Sequence, residues 1–145
     1  MDIPKELSPM FEPEHFKAYP KVEIPQIFSD ERGLISNIAD GKLGDVAVIT
    51  STAGSVRANH FHNADWHFSY MVSGSMKYSW KPMDSTSNQE SIIATAGDLV
   101  YTPPLVAHKM EFLEESCFIA ISALSRNQEN YEADTVRLEA THFHA

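Results

Sequence analysis

Short runs of alternating hydrophobic and polar residues, separated by turn-forming residues, cover most of the chain after Val22. Such runs predict β-strands, because successive side chains of a strand point to opposite faces of a sheet. The runs are VEIPQIF, GLISNIA, DVAVITST, SVRANHFH, WHFSYMVSG, SMKYSWK, ESIIATAGD, LVYTPP, AHKMEFL and CFIAISAL. Roughly nine to eleven strands at near-regular spacing predict an all-β sandwich or barrel.

Both ends of the chain differ from this strand-rich part. Residues 1–25 contain five prolines, which block a long helix and remove hydrogen-bond donors from a sheet, so an extended N-terminal arm is predicted there. Residues 26–138 are predicted to form the barrel, and residues 139–145 a polar tail. The length of 145 residues suits a single domain.

Composition narrows the class of protein. The hydrophobic fraction of 43% fits a folded globular chain. A net charge of −9 argues against binding to the phosphate backbone of nucleic acid and against adsorption to an anionic membrane. The single cysteine, Cys117, cannot form an internal disulfide, and no basic segment followed by an apolar run opens the chain. We therefore expect a cytoplasmic protein whose partner is a small molecule.

Four of the seven histidines are concentrated in two segments, as His60, His62, His67 and His108. His60 and His62 lie two apart in a predicted strand, so their side chains project together. His67 is five residues after His62, so in a continuous strand its side chain would point to the opposite face. It can join the other two only if the chain turns at residues 63–65. Neutral imidazole binds transition metals and also accepts protons near neutral pH. The pattern predicts a metal site or a proton-transfer site.

The spacing of these two segments resembles the two motifs of the cupin superfamily. The first reads Gly54, five residues, His60-x-His62, four residues, His67, six residues and Gly74; the second reads Gly97, five residues, Pro103-x-Leu105, two residues, His108, three residues and Phe112. Three positions depart from the family, because His67 replaces a glutamate, Leu105 a glycine and Phe112 an asparagine. The resemblance implies a single-domain cupin-type β-barrel, also called a double-stranded β-helix or jelly roll.

Resemblance to the metal-binding cupins implies that His60, His62, His67 and His108 are ligands of a divalent transition metal. Because His67 replaces a carboxylate, the ligand set is neutral and binds by nitrogen donation, which suits the later transition metals. Fe, Mn, Ni, Zn and Cu all remain open. Three histidines without His67 could also hold an ion.

A narrower resemblance points to cupins that epimerise or isomerise nucleotide-linked keto-sugars. Residues Asp30–Leu34 are similar to the Asp-x-Arg-Gly opening of that group. Residues Arg57–His62 resemble the Arg-Gly-x-His-x-His segment of the sugar 3,4-ketoisomerases, with Ala58 in place of glycine. The segment Tyr131–Arg137 resembles the end of the same group.

This likeness implies roles for individual residues. In a metal-free site, His60 and His62 would transfer protons to and from the sugar. Arg57 and Arg32 would bind the diphosphate, since guanidinium groups bind phosphate oxygens in pairs; salt bridges to acidic side chains are the alternative for both. Tyr101 flanks the second motif and is a candidate to line the substrate pocket, with core packing as its alternative.

Aromatic residues alternate with His67 along its strand, with Trp66, Phe68 and Tyr70 on the opposite face. If His67 points into the barrel, these side chains point outward. Large outward aromatics favour a homodimer, because a monomer would expose much apolar surface.

Three functions remain open from the sequence. The first is a metal-binding isomerase or epimerase of nucleotide sugars, favoured by Asp30–Leu34 and Tyr131–Arg137. The second is a metal-dependent, Fe-type dioxygenase, favoured by an all-histidine ligand set. The third is a non-catalytic module that senses a sugar or a metal, since fold does not determine function. The complete set of four histidines favours a bound metal.

Overall fold

The structure is a computed structural model that describes residues 19–24, 26–83 and 88–143. The strands and the single helix within these ranges are β1 (Lys21–Val22), β2 (Gln26–Asp30), β3 (Gly33–Ser36), β4 (Asp45–Ser51), β5 (Val56–His62), β6 (His67–Ser73), β7 (Ser75–Pro82), β8 (Glu90–Thr95), β9 (Leu99–Thr102), β10 (Val106–Phe112), β11 (Ser116–Ser122), α1 (Gln128–Asp134) and β12 (Thr135–Arg137). The predicted all-β class is confirmed. In the part of the chain that the structure describes, no helix has the length and apolar character needed to span a membrane.

Two five-stranded antiparallel sheets form the body of the fold. The first sheet has the strand order β1-β9-β6-β11-β4 and the second has the order β12-β5-β10-β7-β8. Strands β2 and β3 form a separate hairpin. Because side chains alternate along a strand, each sheet can present an apolar face to the other. The result is the predicted jelly-roll arrangement of two packed sheets.

Large apolar side chains from both sheets form the main core. Met71 and Phe118 come from the first sheet, and Tyr78, Trp80 and Phe112 come from the second. Burial of side chains of this size stabilises a fold by about 1.5–3 kcal/mol each. Phe112, which stands where the cupin motif has asparagine, is 1% exposed and therefore serves packing here.

The outer face of the first sheet carries the aromatic residues that alternate with His67. Phe68 is fully buried there, in a cluster with Trp66, Tyr101 and Val22. Partly buried residues from the chain's own loops pack against the same cluster. The alternation is as predicted, but other parts of the same chain cover Trp66 and Phe68. These two side chains therefore do not require a partner subunit. The homodimer stays a prediction.

Both ends of the described chain join a sheet. Most of the predicted arm 1–25 lies outside the described residues, and its described end supplies β1, which pairs with β9. Helix α1 begins after Asn127, whose side chain accepts a hydrogen bond from the backbone N–H of Glu129 at 3.2 Å. The following β12 pairs with β5.

Within the predicted tail 139–145, Phe143 is only 4% exposed. The division into arm, barrel and tail stays a prediction.

Candidate functional site

Strands β5 and β10 bring three histidines together. His60 and His62 lie on one side of β5, and His108 on β10 is directly opposite His60 in the strand register. The ring centroid of His60 is 4.6 Å from that of His62 and 4.7 Å from that of His108. All three side chains are buried. The two cupin-like segments therefore meet at one point.

The backbone immediately before His60 is irregular. Ala58 and Asn59 both adopt the left-handed conformation, with φ of 66° and 60°, and the pairing of β5 with β10 shifts register here. This conformation costs a residue with a Cβ about 1–2 kcal/mol, so a glycine suits the position of Ala58, as in the ketoisomerase segment that Arg57–His62 resembles. The Asn59 carbonyl accepts a hydrogen bond from the N–H of Leu138 at 3.0 Å, and its side-chain amide donates to the Glu139 carbonyl at 3.3 Å. The irregular segment is thus joined to the C-terminal part of the chain.

His67 reaches the same place from the first sheet, on β6. The chain bends at residues 63–65, as predicted, and the Asp134 carboxylate accepts hydrogen bonds from two backbone N–H groups of this bend at 2.9 Å. The His67 ring stacks on His62, with centroids 4.5 Å apart and planes 17° apart. Its Nε2 lies 2.8 Å from a carboxylate oxygen of Asp65, and both residues are buried.

The predicted set of four ligands divides into two groups that share His62. Nitrogen atoms of His60, His62 and His108 lie within 4.8 Å of one another, and those of His62 and His67 form a second group with the carboxylate of Asp65. His67 is therefore not grouped with His60 and His108. The arrangement offers a site of three histidines, and the predicted set of four ligands stays a prediction.

The three-histidine group has the free lone pairs that a metal needs. Among the described residues, Nδ1 of His60 and Nε2 of His62 are buried without a hydrogen-bond partner. Nδ1 of His108 lies 3.1 Å from the carbonyl oxygen of Val106, which leaves its Nε2 available. Three neutral imidazole nitrogens fit a divalent transition ion.

Burial keeps the same three rings neutral. Desolvation is the largest cause that lowers the pKa of His60 to about 2, of His62 to about 4 and of His108 to about 3. Repulsion between neighbouring imidazoles lowers these pKa values further. Near pH 7 the three rings can bind a metal or orient hydroxyl groups, but they are poor proton acceptors.

A cavity of about 390 Å³ opens onto this cluster. Its polar lining includes His60, His67, His108, Thr102, Tyr131 and the three arginines Arg57, Arg126 and Arg137. Ile49, Met110 and Phe118 form part of its apolar wall. Three arginines in one cavity of a chain with a net charge of −9 favour an anionic ligand.

Arg57 differs from the other two arginines in its partners. Its Nε donates to the hydroxyl of Ser51 at 2.7 Å, and its Nη2 donates to the carbonyl of Thr50 at 2.8 Å. Arg126 and Arg137 each have a carboxylate nearby, at 3.8 Å and 2.6 Å. Both acceptors on Arg57 are neutral, so its positive charge remains available to an anion.

The C-terminal segment supplies cavity residues that the sequence analysis did not select. The ring of Tyr131 lies 5.6 Å from that of His62 and 6.4 Å from that of His60, and Arg126 lies over its face at 5.4 Å. Arg137 joins the lining from β12. Resemblance of the stretch Tyr131–Arg137 to keto-sugar cupins was a signal for this region. Only the pairing of β12 with β5 places it over the cavity.

Two predicted substrate-binding residues lie elsewhere. Tyr101 is 1% exposed and stacks on Phe68 at 4.8 Å on the outer face, because alternation along β9 turns its neighbour Thr102 toward the cavity. Arg32 lies in the exposed turn between β2 and β3, with its guanidinium 2.7 Å from the carboxylate of Asp30. In the structure Tyr101 packs in the apolar cluster and Arg32 forms a salt bridge, which were the alternatives to substrate binding for these two residues.

Comparison with known proteins identifies the fold. No protein-family model matches the sequence, and the search of curated proteins found no relative. Among solved structures, QdtA, a sugar 3,4-ketoisomerase from Thermoanaerobacterium thermosaccharolyticum in complex with TDP, matches with a TM-score of 0.64 and 20% identity over 86% of this chain and 92% of that chain. ChmJ, a 3'-monoepimerase from Streptomyces bikiniensis in complex with dTDP-quinovose, matches with a TM-score of 0.67 and 16% identity over 83% and 70%.

A third match is a dTDP-4-dehydrorhamnose 3,5-epimerase from Sulfolobus tokodaii, with a TM-score of 0.64 and 15% identity over 86% of this chain and 78% of that chain. At these identities the likeness establishes the three-dimensional arrangement of the chain. It agrees with the spacing of the two histidine segments and with the order of strands in the two sheets. The chain therefore has the cupin-type jelly-roll fold that is shared by these epimerases and this ketoisomerase.

Proposed function

We propose that this chain is an isomerase or epimerase of nucleotide-linked keto-sugars. The observation that carries the proposal is the cavity, which combines buried histidines with three arginines in an acidic protein. Such a reaction removes a proton next to a carbonyl group and returns a proton to the sugar, and a positioned histidine suits both steps. The TDP and dTDP-quinovose complexes of the structural neighbours support the same class of substrate.

The parts of the cavity divide the work between binding and chemistry. Arg57, Arg126 and Arg137 would bind the diphosphate oxygens, because guanidinium groups form paired, charge-assisted hydrogen bonds with them. Neutral His60 and His108 would orient the hydroxyl and carbonyl groups of the sugar ring. The apolar wall of the cavity would exclude water from the reacting carbons.

The direct test is turnover of TDP-4-keto-6-deoxyglucose in deuterated buffer, followed by NMR. We expect deuterium to enter the sugar at carbons next to the carbonyl, with formation of an isomeric keto-sugar. The variant Arg57→Met is expected to weaken TDP binding about 10–100-fold in calorimetry, because each hydrogen bond to a charged group contributes about 1.5–3 kcal/mol.

Arg32→Met is the matched control for this experiment, because Arg32 is paired with Asp30 outside the cavity. It should bind TDP like the wild type. An equal loss in both variants would restore the predicted role of Arg32 in binding diphosphate. A wild type that neither exchanges deuterium nor binds across a panel of keto-sugar nucleotides would contradict the proposed function.

A metal-dependent form of the same site is the second candidate. The unpartnered nitrogen atoms of His60 and His62, together with His108, favour it. A divalent ion bound there would act as a Lewis acid on a substrate oxygen. The dioxygenase and the sensing module gain no support from the solved structures reported above, which are named as epimerases and a ketoisomerase.

Metal analysis after loading with Fe, Mn, Ni, Zn or Cu tests the ligand set. With three histidine ligands, we expect about one ion per chain in the wild type and in His67→Gln, and loss of the ion in His108→Gln. Equal loss in both variants would restore the four-histidine set. A wild type that carries no stoichiometric ion under any loading condition would contradict a metal site.

A further inference from the structure

Asp65 is a buried carboxylate with two different kinds of partner. Its Oδ1 accepts hydrogen bonds from the backbone N–H groups of Ala123 and Leu124, each at 3.0 Å. Its Oδ2 lies 2.8 Å from Nε2 of His67. Hydrogen bonds donated to both oxygens favour the ionised form of the carboxylate. Two backbone amides therefore hold an anion in a fixed orientation beside one histidine.

This contact decides which nitrogen of His67 faces a ligand. An ionised carboxylate can only accept, so Nε2 of His67 must carry the proton that it donates to Asp65. The Nδ1 atom is left with the lone pair of a ring that lines the cavity. Stacking on His62 restrains the plane of the ring. The side chain is thus presented as a proton acceptor in one orientation.

The other three histidines lack such a partner. The nearest carboxylate to His62 is that of Asp134, with 4.0 Å between the nearest atoms, and both oxygens of Asp134 accept hydrogen bonds from the backbone of the 63–65 bend. Among the described residues, no carboxylate forms an ion pair with His60 or His108. An imidazolium formed on His60 or His108 would be buried without a carboxylate partner, and one formed on His62 would have only the longer contact with Asp134.

We propose that His67 takes the proton from the sugar and that Asp65 is the positioning residue that sets its tautomer. This inference rests on the proposed function and names a residue of the same site. It departs from the expectation that His60 and His62 transfer the proton. It also assigns a role to His67, which occupies the glutamate position of the cupin motif.

The step balances without any further reactant. Nδ1 of His67 takes the proton from the carbon next to the carbonyl group, so the C–H bond breaks and an N–H bond forms. The electron pair moves onto the carbonyl oxygen and leaves an enolate. For isomerisation, the proton of the hydroxyl on the carbon that lost its hydrogen passes to the former carbonyl oxygen, and the imidazolium, stabilised by Asp65, gives its proton to the former carbonyl carbon. The C=O bond then forms at the neighbouring carbon. Epimerisation, with return of a proton to the opposite face of the same carbon, requires a second donor.

The variant Asp65→Asn tests this assignment through a reversal of the tautomer. The backbone N–H groups of Ala123 and Leu124 require an acceptor, so the amide oxygen must take the place of Oδ1. The amide NH₂ then faces Nε2 of His67, which must become the acceptor, and the ring proton moves to Nδ1. We expect kcat to fall about 10²–10⁴-fold with little change in KM.

Nitrogen-15 NMR of histidine-labelled protein provides a readout that a purely structural role for Asp65 would not move. In the wild type, Nε2 of His67 should be protonated and Nδ1 should not, and Asp65→Asn should exchange the two signals. Asp98→Asn is the matched control, because this carboxylate also accepts a backbone N–H, that of Thr95 at 2.8 Å, but does not line the cavity. It should leave the His67 signals and kcat close to those of the wild type.

The outcomes separate this inference from the proposed function. Unchanged kcat in Asp65→Asn, or a wild-type His67 that already carries its proton on Nδ1, would overturn the inference. If Asp65→Asn does not fold, His67→Gln decides, with the same loss of kcat expected and wild-type turnover as the contrary result. A wild type without turnover of any keto-sugar nucleotide contradicts the proposed function and the proton transfer, while the NMR spectrum still decides the Asp65–His67 pairing.

Discussion

Lowering the pH from about 7 to about 5 is expected to reduce the free energy of unfolding by roughly 3–6 kcal/mol. The cause is the cluster of His60, His62 and His108, whose pKa values fall from 6.5 to about 2, 4 and 3 on burial. Below about pH 6.5 the unfolded chain binds protons that the folded chain excludes. The free energy of unfolding therefore decreases as the pH is lowered below about 6.5, by up to about 1.4 kcal/mol per pH unit for each histidine.

Urea unfolding at a series of pH values, in the presence of a metal chelator, measures this effect. The loss should begin near the unfolded-state pKa of histidine and continue to about pH 4, where His62 begins to take up its proton in the folded state. Since net stability is typically about 5–15 kcal/mol, the loss is a large share of the free energy of unfolding. The variant His60→Gln removes one of the three groups and should flatten the pH dependence. Constant stability between about pH 8 and pH 5 would contradict the burial of neutral rings.

Replacement of Gly74 by alanine is expected to destabilise the fold by about 2–5 kcal/mol, from the left-handed backbone and a steric clash together. Gly74 joins β6 to β7 with φ of 85°. An added Cβ would overlap the hydroxyl of Ser116 and lie 2.6 Å from the carbonyl oxygen of Glu115. The backbone of this crowded turn cannot give way without disturbing the pairing of β6 with β11.

Gly54→Ala provides the matched control, because the two glycines stand at opposite ends of the first cupin-like segment. Gly54 has a similar φ of 83°, but nothing lies within 4 Å of an added Cβ. We expect Gly54→Ala to lower the free energy of unfolding by about 1–2 kcal/mol, which is the cost of the left-handed conformation alone. The difference between the two variants, measured by denaturant unfolding, reports the clash. Equal losses would show that close packing at Gly74 is unimportant.

The backbone at the substituted motif positions shows how much the residue pattern predicted. Leu105 replaces a glycine of the cupin motif and Ala58 a glycine of the ketoisomerase-like segment, and both adopt the left-handed conformation, with φ of 60° and 66°. The N–H of Leu105 donates to the carbonyl of His62 at 2.8 Å, which explains why the turn persists without glycine. The sequence did not predict this backbone conformation, which only the structure shows at both substituted positions.

Strand parity accounts for the part of the site that could be predicted. His60 and His62 share a face because they are two residues apart, and residues 63–65 form the bend that lets His67 join them. The alternation of side chains along β9 could not show that Tyr101 faces outward and Thr102 faces the cavity. Both faces of β9 are buried, so either face could carry apolar residues. The same uncertainty applied to Trp66 and Phe68, which loops of the same chain cover.

Local periodicity and spacing along the chain were therefore sufficient for the all-β class, the two converging segments and the identity of the histidines. Contacts between residues far apart in sequence decided the rest. The backbone amides of Ala123 and Leu124 orient Asp65 toward His67, and β12 brings Arg137 to the cavity. Such contacts depend on how distant segments pack, which short-range patterns do not encode, so the chemistry of this site became visible only in the folded chain.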